Sequence, residues 1–235
     1  MTAPFSRQQA QFFAHFLTRE GMQDTDTLTQ SLSSARVDLN PHQVDAAMFA
    51  LRSPLSKGVL LADEVGLGKT IEAALVLSQR WWERQRNLLL VVPASLRKQW
   101  AAELQEKFSL PSQILDAKRL KDIAAASKPN PFGRGEAIII ISYEFAARMA
   151  DTLRRISWDL IVFDEAHKLR NVYKAAEHSR AAVLRTTFAG RQKLLLTATP
   201  LQNNLMELVR RRMLWNGWPD FGAESSGSSG SGYAA

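Results

Sequence analysis

The sequence contains no cysteine among its 235 residues and only four histidines. Without thiols the chain forms no disulfides and offers zinc no thiolate ligands, and the scattered histidines lack metal-ligand spacing. It also has no run of about 18 uninterrupted apolar residues that could span a bilayer, and its polar first residues do not resemble a signal peptide. These absences predict a cytoplasmic protein with no membrane association.

The composition is that of a globular protein, with 46% hydrophobic and 23% charged residues. This length accommodates one large domain with attachments. A net charge of +7 would suit a polyanionic partner such as nucleic acid, although many basic proteins bind none.

Changes in residue pattern divide the chain into three predicted parts. Residues 1–36 combine a helical spacing of Phe12, Phe13 and Phe16 with a polar segment, and we interpret them as an accessory helical element. Residues 37–212 alternate short apolar runs with longer amphipathic segments, which predicts a doubly wound α/β domain with a parallel sheet between helices. Residues 213–235 end in a Ser/Gly-rich run that is typical of a flexible or non-native tail.

Five strands and three helices can be placed within this domain. The near-continuous Leu, Ile and Val content of the strands indicates burial on both faces of the sheet. The predicted strands are residues 58–62, 88–92, 137–142, 160–163 and 193–196, and the predicted helices are residues 70–86, 95–108 and 118–126. The last helix lies within a predicted surface excursion, residues 111–135.

A glycine-rich loop follows the first strand and opens the first long helix. It reads Asp-Glu-Val-Gly-Leu-Gly-Lys-Thr at residues 63–70. Gly66, Leu67 and Gly68 would let backbone N–H groups approach phosphate oxygens at the positive end of the new helix. Lys69 would contact the β and γ phosphates of ATP, and the Thr70 hydroxyl would bind Mg²⁺. A glycine turn with a surface lysine is the alternative, which the strand-loop-helix context disfavours.

Two adjacent carboxylates follow another apolar strand, in the order Asp-Glu-Ala-His at residues 164–167. The carboxyl ends of parallel strands share one edge, so these acids should face the phosphate loop. We predict that Asp164 holds Mg²⁺ through water and that Glu165 orients and deprotonates the attacking water. His167 is interpreted as a coupling residue that acts through a hydrogen bond. A helix N-cap is the alternative for a single Asp in this position.

Hydroxyl side chains close the last predicted strand at Thr197 and Thr199. They are candidates for coupling the γ-phosphate pocket to a DNA-facing surface. Alone this segment is weak evidence, because Thr-Pro after a strand is an ordinary way to leave a sheet.

In this order the three motifs resemble the first RecA-like lobe of superfamily-two helicases, and further details resemble the Swi/Snf-related branch. Those details are Leu-Asn-Pro-His-Gln at 39–43, the Asp-Glu-x-Gly-x-Gly-Lys-Thr form of the phosphate loop with Asp63 where the P-loop pattern has Gly, Lys-Leu-Arg-Asn at 168–171 and Leu-Gln-Asn-Asn at 201–204. The resemblance covers about residues 39–208 and favours bacterial members. It implies a RecA-like P-loop fold and an ATPase that moves along double-stranded DNA.

The resemblance also assigns residues beyond the three motifs. Gln43 would read the adenine edge. The residues that would line the duplex backbone are Ser95, Arg97, Lys98, Ser142 and Tyr143.

Motors of this family contain a second RecA-like lobe, which supplies arginines to the γ phosphate. Only 31 residues follow Asn204, so we expect a fragment or truncated product that is poorly active alone. The expected partners are double-stranded DNA, the missing lobe and other protein subunits. A GTPase or small-molecule kinase is disfavoured because no base-reading Asn-Lys-x-Asp motif or lid is visible. The alternative that stays open is a non-catalytic, nucleotide-gated module that binds DNA or a partner.

Overall fold

A computed structural model describes residues 35–37, 39–52, 58–61, 68–126, 131–169 and 179–197 of the chain. Within these ranges, the strands are β1 (Gly58–Leu61), β2 (Leu88–Val92), β3 (Ser112–Ile114), β4 (Ile138–Ser142), β5 (Leu160–Phe163) and β6 (Lys193–Leu196). The α-helices are α1 (Pro41–Arg52), α2 (Lys69–Trp82), α3 (Arg97–Phe108), α4 (Ala117–Ala125), α5 (Tyr143–Arg148), α6 (Ala150–Arg154) and α7 (Arg180–Thr187). Two 3₁₀ turns, Ala94–Leu96 and Ala166–Leu169, follow β2 and β5.

The six strands form one sheet in the order β1-β6-β5-β2-β4-β3, and every described pair is parallel. Parallel strands need long crossover connections, which the helices provide. The α/β fold with a parallel sheet is therefore confirmed.

Alternate residues of the strands pack into two cores, one on each face of the sheet. The first core joins Leu88, Leu90 and Val92 to residues of α1, α2 and α3. The second joins Leu89 and Val91 to residues of α5, α6 and α7. Burial on both faces explains why the strands are apolar without alternation.

Short polar side chains fix where several helices begin. The Ser142 hydroxyl accepts a hydrogen bond from the Phe145 N–H at 3.2 Å, and the Ser179 hydroxyl accepts one from the Ala182 N–H at 3.2 Å. Asp116 caps α4 in the same way, by accepting from the Arg119 N–H at 2.9 Å. Such caps satisfy N–H groups that have no partner within the helix.

Three of the five predicted strands have the observed bounds, and β4 begins one residue later than predicted. Ala62, the predicted end of the first strand, lies outside the described residues. The sequence did not predict β3, which lies in the segment interpreted as a surface excursion. Its Ser112 and Gln113 are polar, and among the described strands it pairs only with β4, so its sequence has no buried-strand pattern. The predicted helix at 118–126 is α4, and the predicted helix at 95–108 begins as a 3₁₀ turn.

Candidate nucleotide-binding edge

Because every described pair is parallel, the carboxyl ends of all six strands lie at one edge of the sheet. Leu61 at the end of β1 is in register with Leu196 of β6, and Phe163 at the end of β5 is in register with Val91 of β2. The same edge holds Ser142 at the end of β4. The motifs that follow these strands are therefore brought together where open α/β sheets bind their ligands.

The last glycine of the phosphate loop has a backbone conformation that suits only glycine. Gly68 precedes α2 with a φ of 93°, and a Cβ atom there would overlap Nε2 of Gln43. Gln43 is buried, and its Oε1 accepts a hydrogen bond from the Asn40 N–H at 3.1 Å. The structure thus brings Gln43 against the end of the loop. Gly66 and Leu67 lie outside the described residues.

Lys69 and Thr70 are the first two residues of α2. The first N–H groups of a helix have no partner within it, and the helix dipole makes this end positive. Both side chains are partly exposed. An anion placed at this end would therefore meet backbone N–H groups, an ammonium group and a hydroxyl.

Asp164 is held directly after β5, and both its carboxylate oxygens accept hydrogen bonds. Oδ2 accepts from the indole N–H of Trp100 at 2.8 Å, and Oδ1 accepts from the Glu165 N–H at 2.8 Å. Burial raises the pKa of Asp164 above its usual value, while these two hydrogen bonds lower it. The positive charge of Lys69 also lowers the pKa of Asp164, so the two side chains interact electrostatically across the edge.

Glu165 adopts a left-handed conformation with a φ of 53°. This conformation costs a residue other than glycine about 1–2 kcal/mol, and such strain is concentrated at functional sites. Its carbonyl accepts a hydrogen bond from the Lys168 N–H at 2.9 Å, which closes the turn. The Glu165 side chain is one-third exposed, so water can reach its carboxylate.

His167 lies beside this carboxylate, with Nδ1 at 2.8 Å from Oε2 of Glu165. Nδ1 is not aligned for a hydrogen bond to any described residue, so the contact is a close polar approach between two side chains. At the neighbouring strand end, Thr197 is buried and its N–H donates to the Leu61 carbonyl at 3.1 Å. Thr199 lies outside the described residues.

The residues expected to line a duplex fall into two groups. Ser95 and Lys98 are exposed and Arg97 is half-exposed, on the turn after β2 and the start of α3. Ser142 and Tyr143 are buried instead.

Both buried residues make hydrogen bonds within the domain. The Ser142 hydroxyl caps α5, and the Tyr143 hydroxyl donates to the Asp164 carbonyl at 2.7 Å. Burial first, and then the negative charges of Asp164, Glu165 and Glu144, raise the pKa of Tyr143 well above its usual value. The Tyr143 hydroxyl therefore keeps its proton and acts as a hydrogen-bond donor to the main chain of Asp164.

Sequence reasoning did not identify Trp100 as part of the site. Trp100, Leu104 and Phe108 are all buried on α3 at intervals of four residues, which indicates only a core-facing stripe. A buried indole N–H needs an acceptor, but the sequence cannot show which acceptor lies 64 positions away.

The oxygen atoms at this edge suit magnesium. Mg²⁺ prefers hard oxygen ligands and usually binds through one or two carboxylates, water and substrate phosphates. The Thr70 hydroxyl and the Asp164 carboxylate fit this chemistry. In the described ranges, no three His, Cys, Asp or Glu side chains cluster as a metal cage, and no helix is long and apolar enough to cross a membrane.

The fold is that of a RecA-like α/β domain, with a parallel six-stranded sheet flanked by helices. It resembles the solved SWI2/SNF2 ATPase core of Sulfolobus solfataricus in complex with dsDNA, with a TM-score of 0.62 and 24% sequence identity. The match covers 78% of this chain and 36% of that one.

Residues 8–214 match the SNF2-related domain, and the chain belongs to this family. It is 38% identical over 175 residues to the RNA polymerase-associated protein RapA of Yersinia enterocolitica, and 37% identical to that of Yersinia pestis. Each match covers 73% of this chain and 18% of the relative, so the chain spans about a fifth of the length of these relatives. The Swi/Snf-related resemblance and its bacterial character are confirmed.

Proposed function

We propose that this lobe binds ATP with Mg²⁺ and forms half of the active site of a helicase-like motor that moves along double-stranded DNA. The observation that supports it most is the geometry of the sheet edge, where Lys69 and Thr70 begin α2 and where both carboxylate oxygens of Asp164, directly after β5, accept hydrogen bonds. Membership of the SNF2-related family supports the same activity.

Each residue at the edge has a proposed role in this reaction. The loop from Gly66 to Gly68 and the Lys69 ammonium bind the phosphates, while Gln43 contacts the adenine. Thr70 and Asp164 would hold Mg²⁺. When bound, this ion would offset the negative charge that develops on the phosphates during hydrolysis.

Glu165 is proposed to position the attacking water and take its proton. Its side chain is one-third exposed, so water can reach the carboxylate, whereas both oxygens of the part-buried Asp164 carboxylate are held by hydrogen bonds. His167, Thr197 and Thr199 are proposed to couple this site to the DNA surface.

The proposed DNA surface is smaller than the sequence indicates. Ser95, Arg97 and Lys98 remain candidates because they are at least partly exposed, whereas Ser142 and Tyr143 would act from inside the lobe. Such contacts reach the phosphate backbone and carry no base information, so binding should be independent of sequence.

Residues 37–212 are proposed as the lobe itself, with residues 1–36 as an accessory element and residues 213–235 as a tail. A second RecA-like lobe would supply an arginine to the γ phosphate, a contact worth about 10³–10⁵ in rate in related enzymes. The RapA relatives are RNA polymerase-associated, which supports a place in the bacterial cytoplasm near the nucleoid and other protein subunits as partners.

ATP turnover measured with and without duplex DNA tests this function. The 235-residue chain should bind ATP but hydrolyse it slowly, and adding a second lobe from a relative should raise the rate and its DNA dependence together. Glu165→Gln serves as the blank and should remove the gain. ATP binding without turnover in every arm would instead support the non-catalytic, nucleotide-gated module, and absence of ATP binding would refute both.

A further inference from the structure

All four polar groups of Asp164 have a partner within the lobe. Its N–H donates to the Val91 carbonyl at 3.0 Å, and its carbonyl accepts from the Tyr143 hydroxyl at 2.7 Å. Its two carboxylate oxygens accept from Trp100 and from the Glu165 N–H. The position of the main chain and the rotation of the carboxylate are therefore both determined by hydrogen bonds.

Of these four hydrogen bonds within the described part of the chain, only the one from Trp100 joins another side chain to the carboxylate. Trp100 is 2% exposed and packs with α3 against the sheet, so its ring has little freedom to move. An indole offers one donor and no acceptor. A bond from such a donor to an ionised carboxylate is charge-assisted, and therefore stronger than a bond between neutral groups.

Trp158 provides an internal comparison. It is also buried, and its indole N–H donates to the Leu153 carbonyl at 3.0 Å. That bond joins two neutral groups in the second core. The two tryptophans therefore differ in what they hold: Trp158 holds a helix carbonyl, and Trp100 holds the carboxylate proposed to bind Mg²⁺.

We infer that Trp100 is a positioning residue for the metal site, whose indole N–H fixes the Asp164 carboxylate in the orientation that receives Mg²⁺ with ATP. The inference rests on the proposed function. Each carboxylate oxygen has a second lone-pair site besides the one it uses here, so the hydrogen bonds orient the group without blocking it. Tyr143 assists by holding the main chain of the same residue.

Partners of this kind behind a metal ligand are typically worth about 10- to 100-fold in metal affinity. Trp100→Phe removes the donor and keeps an aromatic ring. We expect it to raise the Mg²⁺ concentration needed for half-maximal tightening of ATP binding by about tenfold or more. Binding of ATP in EDTA should stay within about twofold of the parent, because Trp100 acts through the metal ligand.

The experiment titrates Mg²⁺ against the chain and a fluorescent ATP analogue. Trp158→Phe is the matched control, because it also deletes one buried indole N–H. Replacing Trp100 by benzothienylalanine, which has sulfur in place of the N–H, separates loss of the hydrogen bond from loss of ring volume. Asp164→Asn alone, and combined with Trp100→Phe, completes a double-mutant cycle.

A second measurement detects the bond without any metal. In protein labelled with ¹⁵N at tryptophan, the indole N–H signal assigned to Trp100 should move when Asp164→Asn removes the charge. The Trp158 signal should not move, since its acceptor is unchanged.

The inference predicts that Trp100→Phe and the benzothienylalanine variant need more Mg²⁺ for half-maximal tightening of ATP binding, whereas Trp158→Phe needs the same concentration as the parent. Adding Trp100→Phe to Asp164→Asn should cause no further loss. Equal losses in the two Trp→Phe variants, parent-like Mg²⁺ dependence in the benzothienylalanine variant, or a Trp100 signal insensitive to Asp164→Asn would each overturn it. If Asp164→Asn itself leaves the Mg²⁺ dependence unchanged, the proposed function fails first.

Discussion

Gly68→Ala tests whether the end of the phosphate loop is shaped by its contact with Gln43. Gly68 has a φ of 93°, a conformation that alanine would have to adopt. The added Cβ would lie 3.2 Å from Cδ of Gln43 and would overlap its Nε2. Gln43 is 5% exposed, so its side chain has little room to move away.

The cost of Gly68→Ala has two parts. The left-handed backbone disfavours any residue other than glycine by about 1–2 kcal/mol. Displacing the Gln43 amide breaks its bond from the Asn40 N–H and leaves a buried polar group unsatisfied, which costs about 1–3 kcal/mol more. The free energy of unfolding should therefore fall by roughly 2–5 kcal/mol.

Gly190→Ala is the matched control, because Gly190 has a φ of 73° but a Cβ there would meet nothing within 4 Å. It should cost only the backbone part, about 1–2 kcal/mol. The smaller entropy of the unfolded chain after Gly→Ala affects both variants equally and cancels in the difference.

Urea unfolding followed by circular dichroism measures both variants, with Gln43→Ala alone and combined with Gly68→Ala. In the combined variant the excess cost of Gly68→Ala should disappear, because the displaced side chain is gone. Equal costs for Gly68→Ala and Gly190→Ala would refute the argument, as would an excess that persists without Gln43.

Three further predictions concern ligands. Lys69→Ala should abolish Mg-ATP binding while the circular dichroism spectrum stays unchanged, because the Lys69 side chain is partly exposed at the start of a helix. An unchanged affinity for ATP would mean that the phosphate-loop assignment is wrong. Duplex DNA should bind weakly and without sequence preference. Arg97→Ala combined with Lys98→Ala should reduce the slope of log affinity against log salt by about 2, whereas the control Arg154→Ala, exposed on α6, should leave the slope unchanged. An unchanged slope in the double variant would exclude these contacts. Glu165→Gln should still bind Mg-ATP but lose hydrolysis in the two-lobe assembly, as single-turnover measurements would show, and retained hydrolysis would remove its assigned role.

The apolar strands could be predicted from the sequence because burial on both sheet faces leaves a run of Leu, Ile and Val with sharp ends. β2, β5 and β6 have the predicted bounds for this reason. The edge strand β3 could not, because a strand with one partner keeps polar residues such as Ser112 and Gln113. Its pairing depends on β4, which is distant in sequence.

For the candidate site, the sequence predicts which residue types follow each strand but not which way their side chains face. Asp164 and Glu165 were expected as a pair, yet the left-handed turn at Glu165 is closed by a backbone hydrogen bond that no sequence pattern predicts. Ser142 ends β4 and Tyr143 follows it at the same sheet edge, but both side chains are buried. The bond from Trp100 joins two segments whose contact exists only after the sheet has formed.

The order of the strands has a consequence for how the lobe is made. β1, the strand that leads into the phosphate loop, is at the sheet edge, and its partner is β6, the last described strand. β6 lies about 130 residues further along the chain, which the ribosome needs roughly 7–25 s to synthesise at about 5–20 residues per second. During that time β2, β4 and β5 can already pair with one another, whereas β1 waits for its neighbour. We expect ATP binding to be the last property that the nascent lobe acquires.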